Sequence, residues 1–84
     1  MDEPAEPNTP LQPGRPIKRS FSIAGHKTSI SLEAAFWDAL QELCAGDGVT
    51  VAARVAEIDR QRGSTAGLSG SVRVWILGRY RQRT

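Results

Sequence analysis

All five prolines of this 84-residue chain stand within its first 16 residues. The same segment holds one large aliphatic side chain, Leu11, and cannot bury enough apolar surface to offset the entropy of ordering it. We therefore expect residues 1–16 to be a disordered acidic tail and residues 17–84 to form the one folded domain. A domain of about 68 residues is marginally stable alone and usually gains a disulfide, a metal or a partner chain.

The composition disfavours the first two of these supports. Cys44 is the only cysteine, so no internal disulfide can form. With His26 as the only histidine, the chain lacks the four N/S ligands that structural zinc prefers. A partner chain is therefore the expected source of stability. The N-terminus also lacks the pattern of a signal peptide and no stretch has the ~18 apolar residues of a membrane span, so we expect a cytoplasmic protein with no membrane partner.

Two short runs with polar and apolar residues in alternation predict strands over residues 19–23 and 28–32. Gly25, between them, can support a turn or a bulge. In the second run Ile30 and Leu32 share one face. The opposite face of that run carries Lys27, Ser29 and Ser31.

Three segments with apolar residues at helical spacing follow, over residues 32–45, 50–62 and 68 to about 81. Residues 46–48, Gly-Asp-Gly, end the first of them. The third segment is apolar on most sides, which predicts burial by more than one neighbour, one of them the second subunit. The predicted N-caps of the three helices are Ser31, Thr50 and Ser69.

The positive charge of the chain is unevenly distributed. The net charge is +2, and because the first 16 residues carry −2, the remainder carries +4. The last 12 residues hold four arginines and no acid. This balance is compatible with a polyanionic partner, but the charge pattern alone favours a solvated helix face.

The backbone groups of a short strand need partners, and the sequence leaves two pairings open. The two alternating runs can pair with each other as a hairpin. Alternatively, the second run can pair antiparallel with its own copy in a second chain, which gives a two-stranded ribbon that fits the major groove of DNA.

The stretch TSISLEAAFWDALQELCAGDGVTVAARVAEI resembles the ribbon–helix–helix family, in its strand ending Ile30-x-Leu32, its acidic helix start, its glycine turn and its Thr50-initiated helix. More narrowly, KRSFSIAGHKTSISLEAAFWDAL, VAEID and LSGSVRVWIL are similar to a bacterial group of short ribbon–helix–helix proteins. The resemblance implies a mainly α fold with a short β-ribbon, an extra N-terminal strand and a C-terminal helix. It further implies a homodimer that binds double-stranded DNA as a transcriptional regulator, either a repressor or an antitoxin-like protein.

The resemblance also implies which residues contact DNA. Those facing the groove would be Lys27, Ser29 and Ser31. Those at the start of the second helix, contributing backbone N–H groups or charge to a phosphate, would be Thr50, Val51 and Arg54. Two further cations, which either contact phosphate or only increase solubility, are Lys18 and Arg19.

Other functions remain open on the sequence. The dimer could be a protein-interaction module that holds another protein through its acidic tail or its arginine-rich C-terminus. It could also be a sensor that binds a small ligand near His26, Glu33 and Trp37, and a monomer is a third alternative. No nucleophile elbow, phosphate-binding loop or metal-ligand cluster is present, so we expect no enzymatic activity and no cofactor.

Overall fold

The computed structural model describes residues 14–62 and 67–82. Within them, a two-stranded antiparallel sheet precedes three helices. This order confirms the predicted fold class, a β-ribbon followed by two helices and an additional C-terminal helix. Most of the predicted disordered tail, residues 1–13, lies outside the described residues. The elements are β1 (Ile17–Ile23), β2 (His26–Leu32), α1 (Ala34–Asp47), α2 (Val51–Gln61) and α3 (Leu68–Gln82).

The two strands form a hairpin closed by Ala24 and Gly25. Both turn residues have positive φ, 51° and 81°, as a type I′ turn requires. The ladder runs from the Ile23–His26 pair to the Ile17–Leu32 pair. Each strand begins two residues earlier than the alternation predicted, and the pairing seen is the hairpin within one chain.

Only one of the three predicted N-caps is correct. Thr50 caps α2, with its Oγ1 accepting the N–H of Ala53 at 3.0 Å. Ser31 does not cap α1, because it belongs to β2 and the helix begins three residues later, after Glu33. Ser69 does not cap α3 either, because it lies in the first turn of that helix. Its hydroxyl oxygen instead accepts the backbone N–H of Ser31 at 3.0 Å.

The first helix runs two residues past its predicted end at residue 45, through Gly46 and Asp47, and ends at the C-cap Gly48. Gly48 has φ 74°, the left-handed conformation that favours glycine. The N–H groups of Gly48 and Val49 return to the carbonyls of Ala45 and Cys44. This closed turn directs the chain straight into α2.

The core lies between one face of the hairpin and the three helices. The helix α3 contributes Leu68, Val72 and Ile76 to it, while Val74 and Leu77 remain 69% and 56% exposed. A helix that is apolar nearly all round thus buries only one side within the chain. Among residues 14–62 and 67–82, the hydrophobic residues that are 0% exposed are Ile30, Leu32, Leu40, Val55 and Val72.

Candidate nucleic-acid interface

Alternate residues of both strands share the solvent-facing side of the hairpin. Ile30 and Leu32 are completely buried, so their neighbours along β2 point to the other side of the sheet. The register places every second residue of β1 beside those neighbours. We call this surface the outer face. Its cross-strand pairs are Lys18 with Ser31, Ser20 with Ser29, and Ser22 with Lys27.

The outer face carries two positive charges and no carboxylate. Lys18 and Lys27 are exposed and lie on different strands, four residue steps apart along the ladder. At a strand rise of about 3.3 Å per residue, this is a separation of ~13 Å along the hairpin. Between them, the hydroxyl oxygens of Ser20 and Ser29 are 3.3 Å apart. Because a hydroxyl both donates and accepts, the face places hydrogen-bonding groups between two cations.

The structure brings together four of the predicted DNA-contacting residues on this face. Sequence reasoning missed Ser20 and Ser22, which stand beside them. The alternation of polar and apolar residues around Phe21 indicates that these two serines share a face of β1. Which residues of β2 they stand beside depends on the register, and the two-residue turn sets that register. The predicted residues found here are Lys18, Lys27, Ser29 and Ser31.

Arg19 lies on the other side of the hairpin. It pairs with the buried Ile30 in the register, so its side chain leaves the sheet toward the helices. Its guanidinium carbon is 4.8 Å from the centroid of the Trp37 ring, a cation–π arrangement. The Trp37 indole N–H in turn donates to the carbonyl oxygen of Ile17 at 2.9 Å. Arg19 therefore covers a core tryptophan and is not part of the outer face.

The other predicted residues lie at the N-terminus of α2. Thr50 takes the N–H of Ala53 with its side chain and that of Arg54 with its backbone carbonyl. Because the first four N–H groups of a helix have no partner within the helix, those of Val51 and Ala52 remain as donors. They make this terminus a candidate phosphate contact, separate from the outer face.

The guanidinium of Arg54 is already engaged within the fold. It donates to Asp47 at 2.8 Å and also pairs with Glu57, with its carbon 4.8 Å from the Trp75 ring. Arg79 of α3 donates to the same Asp47 at 2.9 Å. The hydrogen bond from Arg79, helped by both positive charges, holds the pKa of Asp47 below its usual range. Asp47 thus joins the end of α1 to α2 and α3.

A second ion pair joins α3 to the end of β2. Arg73 donates to Glu33 at 2.9 Å and to the carbonyl oxygen of Ser31 at 3.3 Å. A hydrogen bond to its own backbone and the one from Arg73 lower the pKa of Glu33. Two arginines of the C-terminal basic cluster, Arg73 and Arg79, are therefore used inside the fold. Arg83 lies outside the described residues.

The residues predicted to bind a small ligand, His26, Glu33 and Trp37, do not form a common site. His26 and Glu33 lie at opposite ends of β2, ~20 Å apart along a seven-residue strand. The indole of Trp37 is buried beneath the hairpin. An open apolar groove of about 540 Å³ lies elsewhere, between α2 and α3, against Ile58 and Trp75.

Within residues 14–62 and 67–82, no helix has the length and apolar character needed to cross a bilayer. In the same part of the chain, no three His, Cys, Asp or Glu side chains come together as a metal site would require.

A two-stranded ribbon with a cationic outer face, backed by helices, is the architecture of proteins that place β-strands in a DNA groove. Residues 16–80 match the family model described as the ribbon-helix-helix domain, and the chain belongs to this family. The family is in general one of dimeric DNA-binding regulators, not of enzymes. No curated protein and no solved structure gave a match.

Proposed function

We propose that this protein is a homodimeric transcriptional regulator, a repressor or an antitoxin-like protein, that binds double-stranded DNA through the outer face of its hairpin. The observation that carries the proposal is the composition of that face, two lysines and four serines with no carboxylate. The major groove is about 12 Å wide and admits a two-stranded ribbon. A regulator of this kind would act in the bacterial cytoplasm, where its DNA is.

The two kinds of side chain have different parts in this proposal. Lysines form hydrogen bonds with phosphates or with the O6 and N7 atoms of guanine, and serines pair with several base edges. Lys27, Ser29 and Ser31 would meet the bases, and Lys18 would meet a phosphate. Because serine discriminates bases weakly, we expect binding dominated by phosphate contacts, with modest sequence preference.

The start of α2 gives a secondary contact. The backbone N–H of Val51 would donate to a phosphate, at the positive end of a helix that Thr50 caps. Arg54 would attract a phosphate only weakly, because its guanidinium is already ion-paired with Asp47 and Glu57. Arg19, stacked on Trp37 on the helix side of the hairpin, would not face the DNA in this arrangement.

The test is the salt dependence of binding to a mixed-sequence 30-base-pair duplex, measured by fluorescence anisotropy. Each lysine removed from a phosphate-contacting surface lowers the slope of log K against log salt by about one. The double variant Lys18→Ala, Lys27→Ala should therefore lose about two in slope in a dimer, because each subunit loses the phosphate contact of Lys18, and loss of the base contact of Lys27 should weaken binding further. Arg60→Ala is the matched control, since it removes an exposed cation from α2 and should leave the slope near that of the parent.

Circular dichroism must show that both variants fold as the parent does. If the folded double variant binds with the parent's slope, the outer face does not contact DNA and the proposal is wrong. An equal loss of slope in Arg60→Ala and in the lysine variant would also contradict it, since the effect would then come from net charge alone.

A further inference from the structure

The two lysines of the outer face have no acidic partner in the part of the chain that the structure describes. Lys18 and Lys27 are exposed, and neither forms an ion pair within residues 14–62 and 67–82. The serines beside them carry hydroxyl groups that can donate hydrogen bonds to an anion. The outer face is therefore open to a negatively charged group. Three arginines of the helices are, by contrast, paired with carboxylates: Arg54, Arg73 and Arg79.

The opposite charge lies in the chain that precedes the hairpin. Residues 1–13, which we call the acidic segment, contain three carboxylates and no lysine, arginine or histidine. The outer face has the reverse composition, with two cations and no carboxylate. Opposite charges within reach of each other attract, and the attraction is strongest at low salt. The three carboxylates belong to Asp2, Glu3 and Glu6.

The length of the connecting chain permits contact between the acidic segment and the outer face. Glu6 precedes Ile17, the first residue of β1, by eleven residues, which span up to about 34 Å at the rise of a proline-rich chain. Lys27 lies five residue steps from Ile17 along the ladder, a distance of about 17 Å. The connection is thus about twice as long as the distance to be covered, which leaves enough chain to reverse direction before β1.

We infer that the acidic segment binds the outer face of its own chain and that DNA must displace it. The inference rests on the DNA-binding surface proposed above and adds an internal competitor for that surface. A single exposed ion pair is weak, but a tethered group acts at an effective concentration in the millimolar range, so that a weak contact is well populated. DNA, with one charge per ~1.7 Å of duplex, replaces the acidic segment.

The tethered contact has a defined effect on DNA affinity. It lowers the affinity for every duplex by the same factor, because the acidic segment must leave the outer face before any DNA binds there. It weakens as the salt concentration increases, because exposed charges are screened. A chain without these carboxylates should therefore bind DNA more tightly than the parent at low salt and equally well at high salt.

Two matched double variants test the competition. The variant Glu3→Gln, Glu6→Gln removes two charges from the acidic segment. The control Asp38→Asn, Glu42→Gln removes two exposed charges from α1, on the helix side of the sheet. In the anisotropy assay at about 50 mM salt, the first variant should bind about two- to tenfold more tightly than the parent, and the gain should vanish near 0.5 M salt. The control should stay close to the parent. No gain in the first variant, or equal gains in both, would overturn the inference.

Paramagnetic broadening in NMR spectra locates the acidic segment in the absence of DNA. A nitroxide on Ala5→Cys, between the carboxylates, should broaden the amide signals of Ser22 and Lys27. These residues lie toward the turn, away from the point where the acidic segment joins β1, so the connection alone does not hold the label there. The broadening should decrease when Glu3→Gln and Glu6→Gln are added to the labelled chain, and also when the duplex is added.

The label separates this inference from the proposed function. If the duplex binds but the label broadens the groove between α2 and α3, or broadens the outer face no more than in the charge-neutral variant, the inference is wrong and DNA binding stands. If the label broadens the outer face but no duplex binds, the contact is confirmed and the DNA-binding proposal is wrong. The parent treated with the same reagent is the control for Cys44, whose side chain is buried and whose pKa is raised by that burial.

Discussion

Two turn residues determine which side chains of β1 stand beside those of β2 on the outer face. Ala24 occupies the left-handed region, φ 51°, next to Gly25 at φ 81°. This two-residue turn sets the pairing of Ile23 with His26, and every later pair follows from it. One extra residue in the turn would move each side chain of β1 relative to β2, and Ser20 would no longer face Ser29.

Replacing Ala24 with asparagine should stabilise the protein. An L-residue with a Cβ in the left-handed region costs about 1–2 kcal/mol, and asparagine recovers part of this because its side chain hydrogen-bonds locally. We expect Ala24→Asn to raise the free energy of unfolding in urea by about 0.5–1 kcal/mol. Gly25→Ala is the opposite control and should lower it. An Ala24→Asn variant no more stable than the parent would show that this turn carries no strain.

The strand faces could be predicted from the sequence, whereas the register could not. Alternation of Ile30 and Leu32 with serines is a local pattern, and it identified Ser29 and Ser31 as solvent-facing. The partner of the strand depended on the turn, and Ala24-Gly25 lacks the asparagine that usually signals a tight hairpin. Ser20 and Ser22 were therefore missed.

At the scale of elements, three Ser or Thr residues preceded or opened predicted helices, and only Thr50 acts as a cap. Ser31 and Ser69 bond instead to each other across 38 residues, backbone N–H to hydroxyl. A cap depends on residues three positions apart, so the local sequence reveals it. A strand-to-helix hydrogen bond depends on tertiary packing, which the local sequence does not reveal.

The N-cap of α2 can be tested by removing the side-chain hydroxyl of Thr50. Thr50→Ala removes the acceptor for the Ala53 N–H and should lower the free energy of unfolding by about 1 kcal/mol. Thr50→Ser keeps the hydroxyl and should lie close to the parent. Urea denaturation of the three proteins measures this. If the serine variant loses as much as the alanine variant, the hydroxyl is not the stabilising group.

The contact between β2 and α3 has its own test. Ser69→Ala leaves the half-buried N–H of Ser31 without its acceptor and should cost about 1 kcal/mol. The amide of Ser31 should also exchange with solvent faster, while the amides of α2 exchange as before. Hydrogen exchange followed by NMR reports both. An unchanged exchange rate at Ser31 would mean that another group protects its amide.

At the scale of the whole molecule, two carboxylates attach α3 to the rest of the chain. Glu33 joins it to the end of the hairpin through Arg73, and Asp47 joins it to the α1–α2 connection through Arg79. The buried residues of α3, Leu68, Val72 and Ile76, supply the apolar part of the same contact. The apolar contact and the two ion pairs together hold α3 against the hairpin and the α1–α2 connection.

Stability should therefore fall at acid pH. The pKa values of Glu33 and Asp47 are lowered by folding from the ordinary 4.5 and 3.8, so the unfolded chain binds protons first as the pH decreases. The stabilisation is complete above the unfolded values and is lost as the pH falls through the lower folded values. Urea unfolding measured from pH 7 to pH 2.5 should show this loss beginning near pH 4.5.

Asp47→Asn should be less stable than the parent at pH 7 and should lose less stability on acidification, because the amide cannot take up the proton. Asp38→Asn, an exposed site on α1, is the matched control and should keep the parent's acid profile. Equal acid sensitivity of Asp47→Asn and the parent would place the responsible carboxylates elsewhere in the chain.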